Sequence, residues 1–417
     1  MDLFPFALRN LARNRRRSLL AALSVALSIL MVVVLRGFAD GFTDSLVRNY
    51  IKNETGHINI ATAEYRDRAR FMPVDAIIED SEGLVSRISE TLRSEIPGAI
   101  VAERFRFGAL LSSDSGTKEA LILAGTTETE SKLLMLDSRI LPGGRPIGGP
   151  GETIMGSSLA GDLGLRPGDR LKIVTQKSDG GLGFKSFSIV GLFGTGVNSL
   201  DGLVVQIGLD DARELLGAEG CAQQVSVVLP RRSALHPALE SIRKALGAQG
   251  AAGQELSILP WTAIGEYPAM IRLMEVVYYW VYIFVAVLGA FIIANVMTMA
   301  TLERKREIGI LMAMGMPKKR IASIFLLEGS LLGFFGSAVG ASLGLAINLV
   351  LSRKGLDMTG AMAGFSWPLD NVIYPAKGMD ALALGILIGT LVSAAVAFFP
   401  AKKAAAMAPV EAIRGQS

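Results

Sequence analysis

This chain contains very few of the side chains that catalytic and metal-binding sites use most often. Cys221 is its only cysteine, and His57 and His236 are its only histidines. A lone cysteine excludes an intrachain disulfide and a cysteine-based metal cluster. Two histidines argue against a histidine-rich metal site and against a conventional catalytic triad. The sequence therefore predicts no catalytic residue and no metal site in this chain.

A nucleotide-binding motif is also missing. A phosphate-binding P-loop needs the pattern G-x-x-x-x-G-K-[ST], because backbone N–H groups and the lysine surround the phosphates. The nearest segment reads "SDGGLGFKS", where Phe184 separates Gly183 from Lys185, so the spacing fails. Neither H-E-x-x-H nor a paired C-x-x-C pattern occurs. We therefore expect no ATPase site in this chain and no cofactor bound by it.

Charge is scarce, whereas apolar residues are abundant. Half of the residues are hydrophobic, 19% are charged, and the mean hydropathy is +0.42. This balance is more apolar than that of a soluble enzyme and less apolar than that of a uniformly membrane-embedded protein. It indicates a membrane protein with a large soluble portion. The net charge of +4 does not predict nucleic-acid binding, because the basic residues crowd beside apolar segments, where membrane orientation explains them.

Four apolar segments are long enough to cross about 30 Å of hydrocarbon, which takes about 20 helical residues. They lie near Ser18–Leu35, Val276–Ala300, Ile321–Leu351 and Ala381–Phe399. The first follows a run of arginines, and no A-x-A-like cleavage site comes after it. We therefore interpret it as an uncleaved signal anchor.

The distribution of basic residues predicts the orientation. Arginines and lysines lie before the first span, between the second and third, and after the fourth, and such residues stay on the cytoplasmic side. Both termini are then cytoplasmic. The expected order is an amphipathic helix at 1–17, a first span at 18–36, an extracytoplasmic domain with stalks at 37–275, a second span at 276–300, a cytoplasmic coupling segment at 301–320, a third span at 321–351, an outer loop at 352–380, a fourth span at 381–399 and a cytoplasmic tail at 400–417.

The region between the first two spans alternates strand-like and helix-like patterns. Strands are predicted for "GHINIATA", "EALILAG", "DRLKIVTQ", "SFSIVGLF" and "QQVSVVLP", and helices for 80–94 and 233–248. Glycine-rich connections are expected at 136–151 and 177–184, with a division into two subdomains near 143–151. Segments 42–51 and 266–279 are predicted to be helical stalks. The fold class is therefore four transmembrane helices with an α+β domain inserted between helices one and two.

The segment Thr301–Met314 begins with charged residues and continues with apolar ones. Gly315 is well placed to end a helix in the left-handed conformation, and Pro317 prevents the helix from resuming. This pattern predicts a short cytoplasmic helix that docks in a partner's groove; the alternative is an ordinary loop anchored by positive residues. The docking residues assigned from the sequence are Glu303, Arg304, Arg306, Glu307, Ile308, Gly309, Met312 and Gly315.

Glycines and a few polar residues stand out in the third span. The glycines recur four residues apart, which allows close approach of helix backbones or a sliding surface. We expect Glu328 to pair with Lys318, Lys319 or Arg320, because an unpaired carboxylate is costly there. Asn295 and Asn348 are expected to make interhelical hydrogen bonds. The glycines assigned to helix packing are Gly329, Gly333, Gly336, Gly340 and Gly344.

Three stretches of this chain match the pattern of a known family. They are the start "ALRNLARNRRRSLL", the coupling segment "NVMTMATLERKREIGILMAMGMPKKRIASIFLLEG" and the tail "PAKKAAAMAPVEAIR". The chain thereby resembles the permease subunits of MacB/FtsX-type ABC transporters. In the coupling segment the likeness includes Asn295, Glu303, Arg304, Arg306, Glu307, Ile308, Gly309, Gly315, Ile321, Phe325 and Glu328. In the tail it includes Pro400, Ala401, Ala404, Pro409, Val410, Glu411, Ala412 and Arg414.

Within that family the outer region is similar to the lipoprotein-releasing, LolC/LolE-like permeases. The likeness lies in "RGFADGFTDSLVRNYIKNETGHINI", "ETIMGSSLAGDLGLRPGDRLKIV" and "FSIVGLFGTGVNSLDG". In one such subunit a loop recruits the periplasmic acceptor, and the candidate for it here is "KSDGGLGF". Macrolide-exporter relatives share parts of the same pattern.

The resemblance implies two permease subunits, identical or paralogous, that work with a dimer of cytoplasmic ATPase subunits holding ATP and Mg²⁺. The coupling segment would seat in an ATPase groove, and closure of the ATPases would shift the second span and the outer domain. Extracting acyl chains costs about 0.8 kcal/mol per CH₂, so a lipoprotein substrate needs an apolar cradle. The residues assigned to this cradle are Met31, Leu35, Phe38, Val277, Tyr278 and Val281; the alternative is that they only face lipid or pack together.

The resemblance also implies a multi-pass protein of the bacterial inner membrane. Its expected partners are membrane lipids, a lipoprotein substrate and a periplasmic acceptor, and not a nucleic acid. One alternative is an exporter of drugs, peptides or haem that works with a periplasmic adaptor. The other is an FtsX-like signal transmitter that moves no substrate, although the outer domains of that group are usually smaller than 37–275.

Overall fold

The computed structural model describes residues 3–13, 15–114, 116–134, 136–196, 198–247, 253–358 and 372–406. The chain divides into two units. The helical unit comprises Met1–Thr43, Ile271–Leu356 and Ile373–Ser417, and the sheet unit comprises Asp44–Met270 and Asp357–Val372. Most of the expected outer loop (359–371) and the tail motif from Pro409 to Arg414 lie outside the described residues.

Helices occur in both units. They are α1 (Leu3–Arg13), α2 (Arg15–Tyr50), α3 (Ala63–Arg68), α4 (Ser81–Glu95), α5 (Thr127–Leu134), α6 (Ser157–Leu163), α7 (Asn198–Asp201), α8 (Leu209–Leu216), α9 (Leu235–Leu246), α10 (Tyr267–Glu303), α11 (Lys305–Ala313), α12 (Lys318–Lys354) and α13 (Met379–Ala406). A π-helical turn, Ile51–Thr55, continues α2.

Four helices of the structure are long and apolar enough to cross a membrane: Ser18–Thr55, Tyr267–Glu303, Lys318–Lys354 and Met379–Lys403. Each contains one of the spans expected from the sequence. The expected stalks are helical as well, since 42–50 belongs to α2 and 267–279 to α10. The α+β region lies between the first two of these helices in the chain, as predicted.

Helix α12 is the centre of the helical unit, because glycines let it approach two neighbours closely. Gly329 and Gly333 lie against α13, where an added Cβ would come within 2.4 Å of the Cβ atoms of Ala397 and Ser393. A Cβ at Gly340 would lie 2.2 Å from the backbone oxygen of Ala26 in α2. Gly336 and Gly344 also face α2. The predicted glycine stripe therefore serves two different partners.

The polar residues of the spans behave differently from one another. Asn348 is fully buried, and its Nδ2 donates to the backbone oxygen of Val33 at 2.9 Å, so the predicted interhelical hydrogen bond is confirmed. Asn295 is exposed on α10, and no interhelical hydrogen bond is found for it among the described residues. That prediction is wrong, because α10 is the least covered of the four long helices.

The sheet unit is built on strands β1 (Ile58–Thr62), β2 (Ile100–Ser113), β3 (Gly116–Gly125), β4 (Glu152–Gly156), β5 (Arg170–Gln176), β6 (Leu182–Phe193), β7 (Val204–Gly208), β8 (Gln224–Val228) and β9 (Leu256–Pro260). Their order is β3-β7-β4-β6-β5-β2-β8-β1-β9, and β3 also pairs with β2. The first six strands in this spatial order, from β3 to β2, thus form a closed ring of paired strands. Two short strands, β10 (Leu356–Asp357) and β11 (Val372–Ile373), form a separate sheet.

Strand β2 joins the two halves of this sheet. Its first residues pair with β8, its last with β5, and most of its length with β3. One core cluster contains Phe105, Phe107 and Phe187, packed under α6 and α8. A second contains residues of α4 and α9 against Ile58 and Val227. The long β2 therefore anchors both cores.

Most predicted elements of the outer region are confirmed, with two corrections. The expected connection at 177–184 is too long, because Leu182–Phe184 already belong to β6 and extend its pairing with β5. The expected division near 143–151 is wrong, because strands before and after it share one sheet. Alternation in Lys172–Gln176 and the Asp80 N-cap of α4 are seen as expected.

Candidate coupling site at the bend between α10 and α12

The chain bends sharply between the second and third long helices. Helix α10 ends at Glu303, Arg304 leaves the helical conformation, and α11 covers Lys305–Ala313. Gly315 has φ +85°, so α11 ends in the left-handed conformation as predicted. Pro317 takes an extended conformation as the N-cap of α12. The proline therefore separates two helices and starts the second at once.

A buried ion pair holds the inner side of this bend. The Arg304 Nη1 donates to both carboxylate oxygens of Glu328, at 3.0 and 3.3 Å, and the two side chains are only 10% and 4% exposed. The Nδ2 of Asn10 donates to the same carboxylate at 2.8 Å. A buried carboxylate is tolerated only when a cation and hydrogen-bond donors replace its water. This cluster supplies both.

The expected partners of Glu328 are therefore wrong. Lys318, Lys319 and Arg320 are exposed on the first turn of α12, whereas Glu328 lies almost three turns further along and faces the interior. Arg304 reaches it because the bend returns the end of α10 to α12. Sequence proximity favoured the neighbouring basic residues, but burial favours the guanidinium, which can bond the carboxylate through more than one N–H.

The amino-terminal helix α1 closes over this cluster. The Arg304 Nη2 donates to the Asn10 backbone oxygen at 3.3 Å, so the arginine contacts both α1 and α12. The Arg13 Nη2 donates to both oxygens of Glu307 at 2.6 and 2.7 Å, in a pair that is exposed on both sides. Ala7 is fully buried in the unit. The predicted amphipathic helix thus packs on the bend itself.

The outer surface of α11 combines charge with apolar side chains. Glu303, Arg306 and Glu307 are exposed, and Ile310 and Met314 are 46% and 76% exposed. Among the residues assigned to docking, Arg304, Ile308 and Gly309 are buried instead, and Met312 packs against the core of the unit. These buried residues position the segment, and the exposed ones form its solvent-facing surface. We call this surface the α11 face: Glu303, Arg306, Glu307, Ile310 and Met314.

Sequence reasoning missed Asn10 and Arg13 as members of this site. They lie 294 or more residues from their partners in the chain. The only signal was the helical spacing of apolar residues in α1, which predicts an interfacial helix but not the surface that it covers.

The residues assigned to an apolar cradle lie on α2 and α10. Met31, Val277 and Val281 are exposed to 39–51%, whereas Leu35, Phe38 and Tyr278 are half-buried. These two helices are neighbours, since a Cβ at Gly289 of α10 would lie 2.6 Å from the Ser28 hydroxyl oxygen of α2. The neighbouring rings of Phe38 and Phe42 have centroids 6.2 Å apart. The assigned residues thus lie on adjacent helices and include free apolar surface.

Among the described residues no group of three or more histidine, cysteine or acidic side chains is arranged to hold a metal ion. Cys221 is a free thiol, and burial raises its pKa. At the bend, the buried carboxylate of Glu328 is paired with Arg304.

Two family models match this chain. A model described as the FtsX-like permease C-terminal region matches residues 279–409, which include the bend and the α11 face. A model described as the MacB-like periplasmic core domain matches residues 18–245, more than half of the chain. Together they cover most of the sheet unit and most of the helical unit.

Similar curated proteins come from several organisms. An uncharacterized ABC transporter permease of Methanocaldococcus jannaschii is 27% identical over 61% of this chain and 59% of its own length. The lipoprotein-releasing system transmembrane protein LolC of Neisseria meningitidis is 22% identical over 76% of this chain and 78% of its own. A macrolide export ATP-binding/permease protein MacB of Yersinia pestis is 32% identical over 30% of this chain and 16% of its own.

This chain therefore spans about three-fifths of the first relative and less than a fifth of the third. Among solved structures, the extracellular domain of the ABC-type transporter YknZ from Gram-positive bacteria is similar at a TM-score of 0.34 and 14% identity, covering 48% of this chain and 98% of that one. A likeness of this size carries no argument about function.

Proposed function

Because this chain belongs to the MacB/FtsX-type family of ABC transporter permeases, we propose that it couples ATP hydrolysis by a separate cytoplasmic ATPase to movement of its sheet unit outside the membrane. The observation that carries the proposal is the α11 face. It is a short helix with exposed Ile310 and Met314, braced from behind by the buried Arg304–Glu328 pair and by α1.

The bracing explains how a docked partner could move the helices. A load applied to α11 reaches α10 through Arg304, α12 through Glu328 and α1 through Asn10, because these three side chains share hydrogen bonds. A flexible loop would absorb the same load. The ATPase subunits, as a dimer holding ATP and Mg²⁺, therefore act on a rigid bend, and this chain contributes no catalytic residue.

Orientation follows from charge. The positive-inside rule places α1 and the bend, with its arginines and lysines, on the cytoplasmic side and the sheet unit on the outer side. Both termini are then cytoplasmic, in a multi-pass protein of the bacterial inner membrane. A second permease subunit, identical or paralogous, completes the complex.

For the substrate we propose a lipoprotein released from the inner membrane and passed to a periplasmic acceptor. Support comes from the LolC relative, which aligns with 76% of this chain, whereas the MacB relative aligns with 30%. The exposed Met31, Val277 and Val281 on adjacent helices supply apolar surface for acyl chains. Burying each CH₂ on such a surface offsets about 0.8 kcal/mol of the cost of leaving the bilayer.

The α11 face is tested by Met314→Asp, which places a charge on a 76% exposed position. The chain is co-expressed with a candidate partner ABC ATPase from the same organism, and the retained ATPase is measured after affinity purification. We expect at least a tenfold loss of retained ATPase, because a buried carboxylate replaces an apolar contact. The matched control is Leu182→Asp, a 78% exposed position in the sheet unit, which should retain the ATPase fully.

Equal retention by Met314→Asp and the wild type would refute docking at the α11 face. Photocrosslinkers at Phe38 and Val281 address the substrate: capture of a lipoprotein supports release, and capture of neither lipid nor lipoprotein counts against the cradle. Co-purification of a periplasmic adaptor would instead favour an exporter of drugs, peptides or haem.

A further inference from the structure

The end of α2 enters the sheet unit as a π-helical turn, Ile51–Thr55. The turn ends at Gly56, whose φ is +71° and whose N–H donates to the Ile51 oxygen at 2.8 Å. A Cβ at Gly56 would lie 2.9 Å from the backbone N and O of Val227 in β8. Single π-helical turns are rare and concentrate at functional positions. This turn therefore needs a physical reason for its conformation.

One reason is Arg104 of β2. Its Nη1 donates to the Lys52 oxygen at 2.7 Å, inside the π turn. Its Nε and Nη2 donate to the two oxygens of Glu130 at 2.6 and 2.8 Å, so the guanidinium cannot shift independently. Arg104 is 5% exposed and Glu130 3%. The turn thus has a fixed, buried donor.

The second reason is Arg106, two residues further along β2 and therefore on the same face of the strand. Its Nη1 lies 3.0 Å from Glu54 Oε2, and both side chains are about one-quarter exposed. The Arg106 backbone N–H donates to Gln223 at 2.7 Å, which fixes the strand at this residue. Two arginines of one strand therefore hold one turn at two points.

The start of α10 meets the same place. The Tyr50 hydroxyl, at the last residue of α2, donates to the Ile264 oxygen at 2.6 Å. The rings of Tyr50 and Tyr267 have centroids 4.7 Å apart. Gly265 has φ +66°, and a Cβ there would lie 2.9 Å from the Tyr50 hydroxyl oxygen. The segment that leads into α10 is thereby attached to the end of α2.

We propose that Arg104 and Arg106 form a joint that fixes the π turn, and with it the ends of α2 and α10, to strand β2. The Arg104–Glu130 pair is buried. Buried ion pairs stabilise a fold little better than apolar residues of the same size, so its use here indicates a requirement for exact position. Since β2 pairs with β3, β5 and β8, a displacement delivered to the π turn reaches the whole sheet. Arg104 and Arg106 are positioning residues, and this role rests on the proposed coupling function.

The test reverses charges at the partly exposed Arg106–Glu54 pair: the single variants are Arg106→Glu and Glu54→Arg, and the double variant restores opposite charges. The matched control is Lys118→Gln, which breaks the 2.9 Å pair with Asp162 elsewhere in the sheet unit. In the purified full-length chain, amide hydrogen exchange is measured for residues 51–55. We expect each single charge reversal to accelerate amide hydrogen exchange of residues 51–55 at least tenfold. The double charge reversal should restore the wild-type rate, and Lys118→Gln should leave that rate unchanged.

The second measurement uses the complex with its ATPase. Amide exchange of the β5–β6 hairpin is compared between the nucleotide-free and vanadate-trapped states, beside ATPase turnover. We expect each single charge reversal to reduce the difference in amide hydrogen exchange between the two nucleotide states at least fivefold, at unchanged ATPase turnover. The double charge reversal should restore this difference. A change in fold stability alone would not reduce the hairpin's nucleotide-dependent hydrogen exchange while leaving ATPase turnover unchanged.

The joint and the proposed function can be refuted independently by these two measurements. Wild-type protection of residues 51–55 in the single charge reversals overturns the joint, whatever the ATPase does. A wild-type chain that retains no ATPase overturns the proposed function, while the first measurement still decides the joint. A bound, active ATPase with equal hairpin responses in wild type and single charge reversals also overturns the joint.

Discussion

The buried pair at the bend gives the sharpest energetic prediction. Replacing Glu328 by glutamine keeps the shape of the side chain but leaves the Arg304 guanidinium buried beside a neutral amide. Removing one partner of a buried ion pair costs about 3–5 kcal/mol. The Arg304 and Glu328 side chains are 10% and 4% exposed, so little solvent screening reduces that cost. We expect Glu328→Gln to lose stability in this range.

An exposed pair at the same bend, between α1 and α11, supplies a control. Arg13 and Glu307 are 57% and 53% exposed, although their atoms approach to 2.6 Å. Exposed ion pairs contribute about 0.2–1 kcal/mol, so Arg13→Gln should cost no more than that. Unfolding by SDS titration in mixed micelles, followed by tryptophan fluorescence, compares both variants with the wild type. A third variant, Arg304→Met with Glu328→Met, removes both charges together.

The double replacement distinguishes an ion pair from simple packing. Apolar residues of similar volume often replace a buried ion pair with a neutral or stabilising effect of about 1–4 kcal/mol. The double variant should therefore recover most of the stability lost by Glu328→Gln. If Glu328→Gln cost no more than Arg13→Gln, or if the double variant were worse than the single one, the reasoning about burial would be refuted.

Two further predictions concern packing and pH. In thermal unfolding, Gly340→Ala should destabilise the helical unit by about 1–3 kcal/mol, because its Cβ would lie 2.2 Å from the Ala26 oxygen. Gly161→Ala, at a helical position with open space, is the control and should be neutral or stabilising. Burial lowers the pKa of His57 to about 4, with a smaller effect of Arg232, and its Nδ1 accepts from the Leu229 N–H. Between pH 6.5 and 4 the unfolded chain therefore binds more protons than the folded chain. As the pH is lowered through this range, the free energy of unfolding should decrease by up to about 1.4 kcal/mol per pH unit. Thermal unfolding across this range should lose the dependence in His57→Gln and keep it in the exposed His236→Gln; an unchanged slope in His57→Gln would exclude this residue as the cause.

Local patterns were sufficient for the elements that carry their own signal. The long apolar helices follow from span length, α4 from the Asp80 cap and helical periodicity, and the end of α11 from Gly315. Strand β2 was missed because "IVAERFRFGALLSS" places charged residues among apolar ones. Arg104 and Arg106 pair with Glu130 and Glu54, which lie far from them in the sequence, so no local pattern indicated these partners.

The candidate site was predicted in part for the same reason. Charge and the glycine-proline ending located the docking segment, but they did not show which of its residues point inward. Ile308 is buried in a cluster with residues of helices distant in sequence, and Arg304 is buried because Glu328 and Asn10 can satisfy it. Burial is a property of the folded neighbours, so no local pattern contains it.

The uneven cover of the long helices has a consequence for the membrane. In the helical unit α12 has protein on two sides, whereas α10 has the least cover and exposes Trp280, Phe284 and Phe291 along its length. A helix with few protein neighbours adjusts its tilt to the thickness of the hydrocarbon around it. Bilayer thickness therefore acts on α10 more directly than on α12, and lipid composition becomes one of the variables that set the resting angle of the bend.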